Sequence, residues 1–166
     1  LLGLEKAPRS RQAAPRHLMT SSTMPRKTIE LPERFLFTTD YVVLYSDVNV
    51  ANHLAADRIP SIAIEAQLRF IIALGYEQAT AFEEAGLIMA HSEISYLSET
   101  DYGDRLEIDV TAVNFTAKSF DLLFRLRNLS KGLETARIRN TMLFFDYSSK
   151  SVCAVPESFK ANVAKL

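Results

Sequence analysis

The chain has 166 residues, 48% of them hydrophobic, with 19 Lys and Arg against 20 Asp and Glu. This size and composition are typical of one ordinary folded domain and exclude two large ones. No stretch approaches the roughly 18 to 20 consecutive apolar residues of a spanning helix, so insertion into a membrane is not expected.

Residues 1–29 are predicted to be a disordered basic arm that precedes a domain at residues 30–166. The arm has three prolines, no apolar periodicity and a charge balance of +5, which leaves −6 for the remainder. An acidic body lacks the concentrated positive field that nucleic acid requires, so we expect no nucleic acid partner. The single Cys153 favours a reducing compartment. We expect a cytoplasmic location, and an organelle presequence in the basic arm stays open as an alternative.

The first predicted elements are a strand and a long helix. Residues 35–45 are β-branched and aromatic, as in a strand, and a polar turn follows at 46–53. Residues 54–74 are apolar on nearly every side of a helix. A polar stripe is formed by Arg58, Ser61, Glu65 and Arg69. We therefore expect a main helix from Pro60, closed by Gly75 and buried almost all round.

Four further strands are predicted after the helix. The runs are 87–97, 105–112, 120–127 and 133–147, and a short closing helix fits residues 156–164. The strict alternation of apolar and polar residues from Arg105 to Ala112 is the clearest strand signal. The order predicts an α+β fold, in which an antiparallel five- to six-stranded sheet wraps around one long central helix.

Several short motifs in this order carry a resemblance. They are the turn 47–54, Glu65-Ala66, Leu74-Gly75-Tyr76, the run 103–106 and the run 144–146. Together they resemble the hotdog-fold acyl-CoA thioesterases, the 4-hydroxybenzoyl-CoA thioesterase-like group, over residues 35–160. The family commonly has Asp-x-x-Gly-His-Val-Asn-Asn in the turn, whereas in this chain Ala51-Asn52 precede His53 and Ala55-Ala56 replace the paired asparagines. We therefore expect a turn that is one residue longer.

The resemblance implies hydrolysis of an acyl-CoA or related thioester, without a metal or redox cofactor. Asp47 is then the predicted general base or nucleophile, as the corresponding aspartate is thought to act in the family. The amides of Leu54 and Ala55, at the expected helix start, are the predicted oxyanion donors because the first helical turn has no intrahelical acceptors. An ordinary turn or capping role for Asp47 stays open as an alternative.

Three other polar residues are weaker candidates. His53 is a candidate for positioning the substrate, with shaping of the turn as an equal alternative, and no zinc site is expected. Asn52 is a candidate for orienting water or the thioester, although local capping of the backbone is favoured. Glu65 is a candidate acid, but an ion pair with Arg69 or Arg58 is favoured because a buried carboxylate needs a partner.

The expected partners are an acyl-CoA or other thioester substrate and a second copy of the chain. Pairing across a twofold axis closes the edge strands of a curled sheet, so a homodimer or a dimer of dimers is expected. Two alternatives remain for the function. One is a non-catalytic subunit that binds an acyl ligand or serves assembly, and the other is a hydratase or dehydratase of enoyl thioesters. Release of free thiol distinguishes hydrolysis from both.

Overall fold

The computed structural model describes residues 28–78 and 83–166. The strands are β1 (Phe37–Val42), β2 (Gly86–Tyr96), β3 (Arg105–Val113), β4 (Ser119–Asn128), β5 (Leu133–Asp146) and β6 (Ser151–Val152). The helices are α1 (Arg58–Ala73) and α2 (Glu157–Val163), and a 3-10 turn at Tyr45–Asp47 follows β1. The strands form one antiparallel sheet in the order β1-β3-β4-β5-β2, with β6 paired to β5. The α+β fold predicted from the sequence is confirmed.

The inner face of the sheet forms the core together with α1. On β3, Leu106, Ile108 and Val110 are buried, as their alternation with polar residues predicts. They pair across the sheet with β4, so that Val110 lies opposite Phe124 and Ile108 opposite Leu126. The apolar side chains of the neighbouring strands β3 and β4 therefore lie on the same face of the sheet, and α1 packs on that face.

The central helix begins two residues earlier than predicted and is less buried than predicted. Pro60 is the third residue of α1, where the absence of an N–H is tolerated, and Gly75 follows the helix with φ of 94°. Ile64 is 43% exposed and Ile72 is 48% exposed. The expectation of burial on almost every side is therefore wrong, because the sheet covers only part of the helix circumference. Within the described residues, neither helix has the length and apolar character to cross a membrane.

An aromatic cluster fixes the far end of α1. Phe159 of α2 packs against Phe120 and Phe144 of the sheet, with ring centroids 4.9 Å and 5.2 Å apart. Tyr76, just beyond α1, stacks on Phe159 at 6.4 Å. The carboxyl end of α1 is thus attached to the start of β2, because Phe144 pairs with Leu87 in the sheet.

The first described residues pack on the outer face of the sheet. Ile29 is buried, its amide donates to Ser95 Oγ at 3.2 Å, and its carbonyl accepts from Arg137 at 3.0 Å. The packed domain therefore includes Ile29, which the prediction assigns to the arm. Residues 1–27 of the predicted arm lie outside the described residues.

Candidate active site

Asp47 ends the 3-10 turn between β1 and α1, and its side chain is fully buried. One carboxylate oxygen accepts from Tyr41 Oη at 2.7 Å and from the Leu44 amide at 2.9 Å. The other accepts from Arg58 Nε at 3.2 Å and Nη2 at 3.0 Å. An ionised carboxylate has about four acceptor positions, so this set of donors occupies them.

The surroundings of Asp47 keep it ionised. Burial opposes the charge, but the hydrogen bonds from Tyr41, Leu44 and Arg58 prevail and hold the pKa of Asp47 below its usual 3.8. Burial and the hydrogen bond to Asp47 raise the pKa of Tyr41 to about 12, so this hydroxyl remains a donor at neutral pH. Asp47 thus joins β1, the turn and α1 in one charged contact. Its predicted role as a base or nucleophile stays a prediction.

A cavity of about 430 Å³ is lined in part by residues of the same loop. Its lining residues are Asn49, His53, Leu54, Ala56, Ile59, Tyr96, Leu97, Ser98, Glu99, Thr100 and Thr135. Two contacts hold the loop in place beside this cavity. Tyr96 Oη donates to the Ala56 carbonyl at 3.2 Å, and the backbone of His53 forms an isolated β-bridge with Asp101. The cavity therefore lies between the approach to α1 and the end of β2. Asp47 is not among its lining residues.

The two amides predicted as oxyanion donors are already in use. The Leu54 amide donates to the Thr100 carbonyl at 2.7 Å, and the Ala55 amide donates to the Asp47 carbonyl at 2.8 Å. The prediction for Leu54 and Ala55 stays a prediction, and it requires each N–H to share or leave the protein acceptor that it has in this structure. The next amide, of Ala56, has no acceptor among the described residues, and Ala56 lines the cavity. It precedes the first residue of α1 by two positions, near the positive end of the helix dipole.

His53 and Asn49 are polar side chains of the loop that face this cavity. His53 Nδ1 lies 3.1 Å from the Leu54 carbonyl and 3.4 Å from Asn49 Nδ2. The shorter contact is a hydrogen bond only when Nδ1 carries the proton, and this tautomer leaves Nε2 as an acceptor. Among the residues at 28–78 and 83–166, no group of three or more His, Cys, Asp or Glu side chains is arranged to hold a metal ion.

Asn52 has a role in the turn rather than in the cavity. It is exposed, adopts φ of 64°, and donates its amide to the Asn49 carbonyl at 2.9 Å. This left-handed conformation favours glycine, with asparagine as the usual substitute. Asn52 therefore corresponds to the glycine of the family pattern, and Asn49, three residues before it, corresponds to the aspartate. The turn is not one residue longer, and asparagine stands where the family pattern has its acid.

Glu65 lies on the outer side of α1 and is exposed. Its carboxylate accepts from Arg69 Nε at 2.9 Å, one turn further along the helix, which confirms the predicted ion pair. Arg58 pairs with Asp47 instead. The expectation that Glu65 is buried is wrong, because this side of α1 is not covered. Glu65 lines a separate cavity of about 230 Å³, together with Tyr41, Arg58 and Arg69.

Comparison with known proteins identifies the family of this chain. Residues 43–163 match the family model described as the Thioesterase-like superfamily. The chain belongs to this superfamily. It is 31% identical over 99 residues to a 1,4-dihydroxy-2-naphthoyl-CoA hydrolase of Synechococcus elongatus, a match that covers 58% of this chain and 73% of the relative. The predicted hotdog family is confirmed, and with it the enzyme class, a thioester hydrolase.

Solved structures with the same fold include two that concern coenzyme A. A Staphylococcus aureus protein in complex with CoA has a TM-score of 0.69 at 18% identity, covering 83% of this chain and 87% of its own. A gentisyl-coenzyme A thioesterase has a TM-score of 0.68 at 17% identity, covering 76% of this chain and 99% of its own. At this identity the likeness establishes the fold, an antiparallel sheet wrapped around a helix.

Proposed function

We propose that the chain hydrolyses acyl-CoA thioesters in the 430 Å³ cavity between the start of α1 and the end of β2. The observation that carries the proposal is the Ala56 amide, which has no acceptor among the described residues and belongs to a residue that lines the same cavity as His53. A thioester carbonyl that accepts from this amide gains stabilisation as negative charge develops on its oxygen. The positive end of the α1 dipole adds to the effect.

His53 is the better supported group for activating water. Its Nε2 is the free acceptor in the tautomer whose Nδ1 donates to Leu54, and the residue lines the cavity. Water attacks the thioester carbon as Nε2 takes its proton, the carbon–sulfur bond breaks, and the proton passes to the thiolate. The products are a free acid and free CoA thiol.

Asp47 then acts as the anchor of the loop that carries Asn49, His53 and Ala56. The rival mechanism, in which Asp47 is the base or nucleophile, requires the carboxylate to leave the donors Tyr41 and Arg58. Such a rearrangement leaves Arg58 without its carboxylate partner and breaks charge-assisted hydrogen bonds, which are the stronger kind. The anchored arrangement needs no such step.

Aromatic acyl groups are the first substrates to test. The matched Synechococcus elongatus relative is a 1,4-dihydroxy-2-naphthoyl-CoA hydrolase, and one structural neighbour is a gentisyl-coenzyme A thioesterase. Both names describe aromatic acyl thioesters. A cavity of about 430 Å³ is in the range of small-ligand sites and accommodates one or two rings.

The test is a panel of aliphatic and aromatic acyl-CoA thioesters, assayed for free thiol with a thiol-reactive dye on the full chain. We expect turnover with at least one aromatic thioester, and a fall in kcat of about 100-fold or more in His53→Gln. His91→Gln is the matched control, since His91 is an exposed histidine on β2. Absence of thiol release across the panel contradicts the proposal and supports the ligand-binding alternative. An enoyl or hydrated product in its place supports the hydratase alternative.

A homodimer through β2 completes the proposal. β2 has 11 residues and lies at one edge of the sheet, where it pairs with β5 alone among the described strands. The exposed apolar side chains of the domain include Met89 on this edge strand, and Ile64 and Ile72 on α1. Pairing of β2 with its copy satisfies the free backbone groups of both edges and covers apolar surface. Sedimentation equilibrium at micromolar concentration tests this, with twice the mass of the chain as the expected result.

A further inference from the structure

The cavity assigned to the substrate has no positive charge in its described lining. None of the described residues that line it is a lysine or an arginine, and Glu99 is its one carboxylate. Asp57 and Asp101 are exposed acids next to it, adjoining Ala56 and bridged to His53. The CoA part of a thioester carries a 3′-phosphate and a diphosphate, and an acidic surface repels these anions. Binding of CoA therefore requires cations from outside this lining.

The described cations nearest the cavity are already paired. Lys131 donates to the Glu99 carbonyl at 3.3 Å, and two arginines each lie two positions beyond a lining residue. Each of the three has a carboxylate partner: Lys131 with Asp101 at 2.8 Å, Arg137 with Glu134 at 2.6 Å, and Arg58 with Asp47 at 3.0 Å. A cation whose charge is offset by a carboxylate attracts a further anion less strongly than an unpaired one.

The segment 29–36 crosses the outer face of the sheet towards the same cavity. It passes the strands in the order β3, β4, β5 and β2. Its contacts in that order are Leu36 with Val110, Phe35 with Arg125, and Ile29 with Arg137 and Ser95. Ser95 lies on β2, the edge strand of the sheet. The residues that precede Ile29 are therefore attached at this edge.

Two basic residues come directly before the described part of the chain, Arg26 and Lys27. Consecutive Cα atoms are about 3.8 Å apart, so the Cα of Lys27 is at most about 8 Å from that of Ile29. Arg26 is one residue farther, and both side chains are long. β2 ends at Tyr96, one residue after Ser95, and Tyr96 lines the cavity. Both cations are therefore within reach of the cavity past the end of β2.

We propose that Arg26 and Lys27 bind the phosphate groups of the CoA part of the substrate on the Glu99 side of the cavity. Guanidinium and ammonium groups donate charge-assisted hydrogen bonds to phosphate oxygens. The arm has six basic residues against one acid, and these two are the basic residues closest to the fold along the chain. The acyl group then lies inward beside the Ala56 amide. This inference rests on the proposed function, because it takes a CoA thioester as the occupant of the cavity.

The test compares ligands with and without phosphate groups. One substrate is the acyl-CoA of highest turnover in the panel, and the other is the pantetheine thioester of the same acyl group. Binding of CoA and of pantetheine is measured by calorimetry, which needs no turnover. The variant carries Arg26→Gln and Lys27→Gln together. The matched control carries Arg9→Gln and Arg11→Gln, which remove the same charge farther along the arm.

We expect the Arg26 and Lys27 variant to raise KM for the acyl-CoA by about tenfold and to keep kcat within about twofold. The reason is that the phosphates are distant from the reacting carbonyl. CoA should bind about tenfold more weakly, and its affinity should fall less steeply with salt, since fewer ion pairs are screened. The pantetheine thioester and pantetheine should give the same values as with the unaltered protein. The control should stay within about twofold throughout.

An unchanged affinity for CoA in the variant overturns the inference. An equal loss with pantetheine also overturns it, and so does an equal loss in the control, which would assign the effect to the overall charge of the arm. CoA binding that depends on Arg26 and Lys27, without hydrolysis of any thioester, overturns the proposed function and leaves the phosphate site standing. Hydrolysis of the acyl-CoA with the same KM in the variant overturns the phosphate site and leaves the proposed function standing.

Discussion

Asp47, in the turn before α1, and Gln67, in the middle of α1, are both buried polar side chains, and they differ in how far their hydrogen bonds are satisfied. The Asp47 carboxylate accepts four hydrogen bonds from three residues, whereas Gln67 Oε1 accepts none among the described residues. A satisfied buried charge holds elements together, and an unsatisfied buried acceptor destabilises the fold. The first arrangement stabilises the loop, and the second leaves an acceptor on α1 without a donor among the described residues.

The largest effect is expected from Asp47→Asn. The substitution removes the charge that pairs with Arg58, and the broken contact should lower the free energy of unfolding by about 3 kcal/mol. This value is at the lower end for buried ion pairs because the Arg58 side chain is 42% exposed and keeps contact with water. Urea unfolding measures the loss, with Asp57→Asn as the control, because Asp57 is an exposed carboxylate without a capping hydrogen bond.

The same variant separates the anchoring role of Asp47 from a catalytic one. An anchor should lose stability while the folded fraction keeps more than about one hundredth of its kcat. Unchanged unfolding with a greater loss of kcat assigns the chemistry to Asp47 and contradicts the activation of water by His53.

A second effect is the pH dependence of the Asp47 contribution. Since the folded pKa of Asp47 lies below its usual 3.8, its contribution is complete above the unfolded pKa and is lost as pH falls through the folded value. The difference in unfolding free energy between the unaltered protein and Asp47→Asn should be constant above about pH 5 and shrink below about pH 4.

The pH measurement needs the difference between the two proteins. Hydrogen bonds also hold the pKa values of Asp104 and Asp146 below their usual range, so the unaltered protein loses stability in acid for several reasons. Subtraction cancels those contributions. A difference that stays constant down to about pH 2 contradicts an ionised Asp47 in the folded state.

The smallest effect is expected from Glu65→Gln. Glu65 also pairs with an arginine, but both side chains of that pair are more than 40% exposed. Exposed pairs of this kind contribute about 0 to 1 kcal/mol, so urea unfolding should change by less than about 1 kcal/mol and kcat should stay within about twofold. If Glu65→Gln instead folds normally but loses about 100-fold in kcat, Glu65 is a catalytic acid. The helix carboxylate, rather than the turn, would then carry the chemistry.

The sequence by itself determined the elements and the family. The alternation of apolar and polar residues predicted the strands, and Leu106, Ile108 and Val110 are buried as that alternation predicts. Gly75 marked the end of α1, and the order of motifs from Asp47 to Phe145 matched the thioesterase-like family. These signals are local, because the geometry of the backbone fixes which neighbours along the chain share a face.

Only the tertiary structure decided which groups of the candidate site are available. The Leu54 amide is occupied by Thr100 and the Asp47 carboxylate by Arg58, partners that lie 46 and 11 residues away along the chain. No pattern in the sequence indicated that Ala56 keeps a free amide or that one side of α1 is open at Ile64 and Ile72. Hydrogen bonds between distant segments, and the extent to which the sheet covers a helix, depend on how the strands pair and curl. The spacing of apolar residues along the chain does not specify that pairing.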